Sequence, residues 1–244
     1  MMRVLDLFSG IGGFSLGLEA AGMETVAFCE KDSFCRKVLA QHWPNVPIHE
    51  DIRDLDGQIY RGTVDVVCGG FPCQPFSVAG LRQGQEDDRH LWPEMLRVVR
   101  ESQPRWVIGE NVSGFVKMAL DDVSSDLEGE GYAVRAFVLP AVAVDALHRR
   151  DRCFIIAHKK DVADTIGSRS EAWLSGQEQG QERHSGEFNH EGYQRSWWET
   201  GGEWATEPDP LRRMAHGVPN RVDRIKALGN SVVPRLVEVI GKIV

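Results

Sequence analysis

One cysteine in this sequence has an unusual setting. Cys73 stands between two prolines in Gly69-Gly70-Phe71-Pro72-Cys73-Gln74-Pro75-Phe76-Ser77. The prolines restrict the backbone, and on a loop the thiolate could face a ligand, so Cys73 is the candidate nucleophile. A free thiol of pKa ~8.5 is only a few per cent ionised at neutral pH, so nearby positive charge would help it. Arg150 and Arg152, in His148-Arg149-Arg150-Asp151-Arg152, are the candidates; strand alternation sends both to one face, although alone they read as a surface pair. Glu110, in Trp106-Val107-Ile108-Gly109-Glu110-Asn111-Val112, reads as a carboxylate ending a strand. Such a residue is usually solvated or starts a helix, but beside a nucleophilic cysteine it could act as a general acid or hydrogen-bond a heterocycle. Cys29, Cys35, Cys68 and Cys153 take the ordinary packing role.

A second set of residues has the chemistry of nucleoside binding. Phe8-Ser9-Gly10-Ile11-Gly12-Gly13 follows an apolar run, and its glycines allow a tight turn and close approach of a ligand to the backbone. Glu30 follows the next run and could accept from ribose hydroxyls, while Asp51, in His49-Glu50-Asp51-Ile52, could accept from an adenine amino group. The dinucleotide fingerprint fails, because Ser15 stands where its third glycine should be. A nucleoside cofactor without a pyrophosphate fits better, and S-adenosylmethionine is the foremost example.

These residues must be positioned by a scaffold, and its order is visible in the patterning. Arg3 to Phe8, Thr25 to Cys29, Val64 to Cys68, Trp106 to Ile108, Tyr132 to Leu139 and Arg152 to Ala157 read as strands, with amphipathic segments between them. Leu91, Met95, Val98 and Val99 share one helical face, and Pro104 ends that helix. The alternation predicts an α/β fold with a doubly wound, mainly parallel sheet of Rossmann type, whose ligands bind beyond the carboxyl ends of the strands. Thr165 to Gly202, rich in Gly, Ser, Gln and Glu, reads as a small loop-rich appendage. Val232 to Val244 reads as a closing helix with Pro234 in its first turn, after a Gly229-Asn230 turn.

Composition narrows the classes further. The 244 residues are 42% hydrophobic, which suits one large α/β domain with a small appendage and excludes disorder and small disulfide scaffolds. No apolar run approaches the ~20 residues of a membrane span. Asp6 interrupts the stretch where a secretory signal needs its apolar core, so a cytoplasmic protein is expected. Five cysteines without paired C-x-x-C spacing argue against disulfides and structural zinc, and no metal is expected. The net charge of -8 gives no general attraction to nucleic acid. From Ala163 to Pro210 there are ten acids against three bases, so any phosphate contact must come from local basic clusters such as Arg195-Ser196-Trp197-Trp198 or Leu211-Arg212-Arg213.

Taken together, the set resembles the cytosine-5 DNA methyltransferase family. The matching pieces stand in family order: Asp6 to Phe14, Glu30-Lys31-Asp32, Asp51-Ile52, Gly70 to Ser77, Glu110-Asn111-Val112, Arg150-Asp151-Arg152 and Ala227 to Val232. The resemblance implies an S-adenosylmethionine-dependent enzyme that flips a cytosine out of double-stranded DNA and adds Cys73 to carbon 6 of the ring. It implies that Glu110 serves ring nitrogen 3 and the exocyclic amine, that Arg152 holds the base, and that Arg150 stands nearby. It places Phe8 on adenine, Glu30 on ribose, Asp51 and Ile52 at the adenine edge and face, and Asn230 with Ser231 near the methionine end, beside the turn Gly10, Ile11, Gly12 and Gly13. Gln85 to His90 would then close over the flipped base. Domains of 1–157 for catalysis and cofactor, 158–223 for a reduced target-recognition region and 224–244 for a returning segment follow. The resemblance leaves the oligomeric state open and allows a companion restriction endonuclease.

Two other readings stay open. Related enzymes methylate cytosine in tRNA, and an acidic, trimmed insert would suit a folded RNA. Alternatively, the chain is a catalytically silent relic that binds DNA or a partner, against which the intact Cys73, Glu110, Arg152 and Asn230 argue.

Overall fold

The computed structural model describes residues 1–72, 91–144, 146, 150–160 and 221–244. The chain divides into two compact units, Met1–Asp164 with Lys226–Val244, and Thr165–Ile225. The first holds a seven-stranded sheet in the order β3-β2-β1-β4-β5-β7-β6. Of the second, residues 221–225 are described and are helical.

The strands are β1 (Arg3–Leu7), β2 (Glu24–Cys29), β3 (Ile48–His49), β4 (Val66–Gly69), β5 (Trp106–Val112), β6 (Tyr132–Leu139) and β7 (Arg152–Lys159). β1 to β5 pair in parallel, connected through α1 (Gly13–Ala20), α2 (Ser33–His42) and α3 (Trp92–Ser102), while α4 (Leu120–Gly129) leads from β5 to β6. β7 is antiparallel to both neighbours. The expected mainly parallel, doubly wound sheet is therefore present. Burial explains the order at this edge: β7 is apolar on both faces through Cys153, Phe154 and Ile155 and occupies an inner position, whereas β6 exposes Phe137 and Val138 and forms the edge.

Alternation along the strands divides the core into two layers. Leu5, Leu7, Val67, Val107, Cys153 and Ile155 pack with Met95 and Val99 of α3 and with Val123 and Leu127 of α4. On the opposite face α1 packs against α6 (Pro234–Gly241). That approach needs glycine, since a Cβ at Gly17 would lie 2.5 Å from the Pro234 carbonyl oxygen and from Val237 Cβ.

Three boundaries differ from the sequence reading. β5 continues past Ile108 to Val112, because Glu110, Asn111 and Val112 pair with Phe154, Cys153 and Arg152 of β7. Glu110 is thus held within a ladder and does not end the strand. Gly229 and Asn230 are the last residues of α5 (Arg221–Asn230), not a turn before the closing helix. That closing helix is α6, eight residues long, with Pro234 at its start, where a missing N–H costs nothing.

Candidate active site

The strand order reverses between β1 and β4, so a crevice opens beyond their carboxyl ends. Phe8 to Gly13 leaves β1 there, and Gly70 leaves β4. Backbone shape fixes the first of these loops. Phe8 takes φ 51, Gly10 φ 55 and Gly12 φ 86, the left-handed region that disfavours a Cβ. Ser9 Oγ donates to the Asp6 carbonyl at 2.6 Å, and Gly12 N donates to the Ser9 carbonyl at 2.8 Å. Gly12 has no room for a side chain, since a Cβ would lie 2.6 Å from the Trp43 ring. Gly10 faces open space, with nothing within 4 Å of a Cβ built on it.

Glu30 ties this loop to the next connection. Its Oε2 accepts from Gly10 N at 2.7 Å and its Oε1 from Asp32 N at 2.7 Å. Asp32 caps α2 by accepting from Phe34 N and Cys35 N, and forms an ion pair with Lys226 at 3.1 Å. The cap, the ion pair and Ser231 bring the closing segment to the same place. A Cβ on Gly13 would lie 2.6 Å from Ser231 Oγ. Asn230, just before it, is exposed, and Ile11 is half-buried. Asp51 is half-buried after β3, with Oδ1 accepting from Arg53 N at 3.0 Å and Oδ2 lying 3.5 Å from Lys31 Nζ. Ile52 is buried in the α3-side core.

On the other side of the crevice, Glu110 and Arg152 lie on one face of β5 and β7, with Arg152 Nε 3.0 Å from Glu110 Oε1. The second oxygen, Oε2, is 3.2 Å from where a Cβ on Gly70 would be, beside the segment that leads to Cys73. Burial raises the Glu110 carboxyl above its ordinary range, although the charges of Arg152 and Arg150 oppose the shift. Arg150 has a different set of partners: its Nη2 donates to the carbonyls of Gly229 at 2.7 Å and Ser231 at 2.8 Å. It joins the loop before β7 to the end of α5. Cys73, Gln85 to His90, His148 and the basic clusters at Arg195 and Arg212 lie outside the described residues.

Several residues that the sequence reading did not single out support the site. Asn111, buried beside Glu110, donates from Nδ2 to the Phe71 carbonyl at 3.0 Å and so holds the chain two residues before Cys73. Asp6 is fully buried under the glycine loop, where Oδ2 accepts from Ser15 Oγ at 2.7 Å and the buried Cys68 thiol lies against the carboxyl. Burial pushes its carboxyl up to about 7, against the Ser15 hydrogen bonds and with the help of the Glu30 charge. Asp6 and Asn111 both stood within the quoted motifs, but their partners are set by packing. Burial also pushes the Cys29 thiol up to about 12 and Cys68 well above its usual value, which leaves both poor nucleophiles. Among the described residues, no group of His, Cys, Asp and Glu could hold a metal ion, and no helix is long and apolar enough to cross a membrane.

The chain is similar to known proteins in sequence and in fold. M.HgiCII of Herpetosiphon aurantiacus, a type II methyltransferase, is 39% identical over 159 residues, covering 63% of this chain and 36% of its own length. The type II methyltransferase M.Eco47II of Escherichia coli is 39% identical over 170 residues, covering 67% of this chain and 41% of its own. The chain thus spans well under half of the length of these relatives. The crystal structure of the S. pombe Dnmt2 methyltransferase superposes with a TM-score of 0.65 over 100% of this chain and 98% of that one, at 16% identity, which shows a common fold. The sequence model for C-5 cytosine-specific DNA methylases matches residues 2–197, from β1 through both sides of the crevice and beyond β7. By that match the chain belongs to the C-5 cytosine-specific DNA methylase family.

Proposed function

We propose that the chain is a DNA cytosine-5 methyltransferase that uses S-adenosylmethionine and the nucleophile Cys73. The observation that carries this reading is the pair of the buried Glu110 with the half-buried Arg152 at 3.0 Å, the Glu110 carboxylate facing Gly70 at the start of the run to Cys73. It stands across the switch point from a loop suited to a nucleoside.

The residues of that loop fit the cofactor. Each oxygen of Glu30 accepts one backbone N–H and keeps a lone pair for a ribose hydroxyl. The space outside Gly10 is unfilled, and Phe8 lies half-buried beside it to receive a flat base. Asp51 and Ile52 serve the adenine, and Ser231 with Asn230 closes the pocket beside Gly13. When bound, the cofactor supplies an electrophilic methyl group.

The chain's own residues prepare the cytosine to accept it. The Cys73 thiolate forms a bond from sulfur to carbon 6, and electron density moves toward carbon 5. Glu110, whose burial favours its protonated form, holds a proton at ring nitrogen 3, and Arg152 keeps the carboxyl oriented and balances its charge. Carbon 5 would then take the methyl group as its bond to the cofactor's sulfonium breaks; loss of the carbon 5 proton to solvent, return of the nitrogen 3 proton to Glu110 and departure of Cys73 as thiolate release the product. Arg150 acts one step away, by joining the closing segment to this edge through Gly229 and Ser231.

The target cytosine is reached by flipping from double-stranded DNA, at a cost of a few kcal/mol. Residues 1–157 and 224–244 carry catalysis and cofactor, and 158–223 form the reduced recognition region of a cytoplasmic enzyme. The kinship with type II methyltransferases supports a companion restriction endonuclease. The test is a duplex containing 5-fluorocytosine, incubated with protein and cofactor: a covalent complex is expected on DNA, absent with Cys73→Ser. Trapping on fluorinated tRNA instead moves the substrate to RNA, and trapping on neither overturns the reading.

A further inference from the structure

Arg97 on α3 belongs to none of the motifs above, yet it grips the cofactor side of the crevice from below. Its Nη2 donates to the Ile52 carbonyl at 2.6 Å and its Nη1 to the Leu55 carbonyl at 2.9 Å. Within the helix, Nε donates to Glu94 Oε2 at 2.8 Å and Nη1 also donates to Glu101 Oε2 at 2.9 Å. Glu101 Oε2 also accepts from Gly57 N at 2.7 Å. One arginine and its helical neighbour therefore fasten three backbone groups of residues 52–57.

Apart from local bonds such as Arg53 N to Asp51 Oδ1 at 3.0 Å and Gln58 N to Asp56 Oδ1 at 2.9 Å, which shape the turn without tying it to the rest of the fold, the segment's anchoring comes from α3. Its own turn bonds are long, 3.2 Å from Asp54 N to the Asp51 carbonyl and 3.3 Å from Leu55 N to the Ile52 carbonyl. Ile52 and Leu55 are buried, but apolar burial is non-directional: it sets depth and leaves orientation free. The planar guanidinium supplies the orientation, with two donors converging on carbonyls three residues apart. Asp51 precedes this turn directly and its Oδ1 accepts from Arg53 N within it at 3.0 Å, so its carboxylate is oriented with the turn, with Lys31 Nζ 3.5 Å from Oδ2.

We propose that Arg97 is a positioning residue that sets the adenine specificity of the cofactor pocket, by fixing the Ile52 to Gly57 turn and with it Asp51. The proposal rests on the cofactor reading above, and it adds a residue that never touches the cofactor. A lysine would not replace it, because a single ammonium cannot span both carbonyls and both glutamates at once.

The experiment measures binding of S-adenosylhomocysteine and of its 6-oxo analogue S-inosylhomocysteine by calorimetry, for wild type, Arg97→Met and Arg97→Lys. Wild type should prefer the amino compound. Arg97→Met should weaken that compound about tenfold, as expected for a lost charge-assisted contact, while changing the oxo analogue less than about twofold, so that the preference collapses. A general loosening of the fold would weaken both ligands alike and would overturn the proposal. So would a folded Arg97→Met that keeps its preference. If Arg97→Met gives no cooperative unfolding transition, Arg97→Lys decides: a preference reduced about threefold or more supports the role, and an unchanged one refutes it. Wild-type protein that binds neither compound overturns the cofactor reading and this proposal together, whereas a preserved preference overturns this proposal alone.

Discussion

The two sides of the crevice hold their carboxylates in opposite ways. Glu30, on the β1–β2 side, accepts backbone N–H groups from Gly10 and Asp32 and acts as a fixed acceptor. Glu110, on the β5–β7 side, is more deeply buried, has the Arg152 guanidinium against Oε1, and holds its proton more strongly than an ordinary carboxyl. The difference shows how one residue type could be fitted to the two roles proposed above. Backbone donors fix the direction of a carboxylate that can accept from hydroxyls, whereas desolvation favours the acid form that can give a proton to a ring nitrogen. Each side should therefore fail in its own way.

The largest failure is expected at the proposed nucleophile. Cys73→Ser should abolish methyl transfer while cofactor affinity stays close to wild type, as read by radiolabelled transfer and by titration; ordinary turnover would refute the covalent route. Next, Glu110→Gln should lower the rate at saturating cofactor by about 10²–10⁴, the range for a lost general acid, without weakening cofactor binding. A variant that instead loses cofactor affinity would place Glu110 on the wrong side of the comparison.

Beneath the glycine loop, Asp6 tests burial without a compensating charge. Its carboxyl sits near 7 in the folded chain against 3.8 ordinarily, so the folded state favours the protonated form. The stability it contributes is complete below about pH 4 and is lost as pH rises through about 7, by up to about 4 kcal/mol. Denaturant titrations across this window should show a pH slope in wild type that Asp6→Asn removes, since the amide cannot ionise and its oxygen can still accept from Ser15. Equal slopes in both proteins would show that Asp6 ionises freely. The smallest effect belongs to the acceptor side: Glu30→Ala should weaken cofactor binding by about 1–3 kcal/mol, with the reaction at saturation little altered. Unchanged affinity would remove the ribose from Glu30.

Much of this arrangement could be read along the chain. Runs of β-branched and apolar residues alternating with amphipathic helices gave the doubly wound sheet, and the glycines after β1, the acid after β2 and the acid in β5 all fall around one crevice. The inversion of β7 was not visible, because antiparallel and parallel inner strands are equally apolar. The extension of β5 to Val112 was hidden for a related reason: Glu110 and Asn111 are polar, and a ladder with β7 overrides their local preference. Arg150 shows the same limit. Two arginines on one strand face looked equivalent, yet one meets Glu110 and the other the carbonyls at the end of α5.

What the sequence determined by itself is the kind of chemistry: a cysteine between prolines, acids after strands, glycines where a ligand approaches, each a matter of residue type and local backbone. Only the tertiary structure decided which of these groups is charged, which is clamped and by whom. Arg97 and Ile52 are 45 residues apart in the chain, and Arg150 and Ser231 81 apart. Contacts over such separations arise from packing helices and strands into a common core, and desolvation, which decides the state of Asp6 and Glu110, exists only after that core has closed.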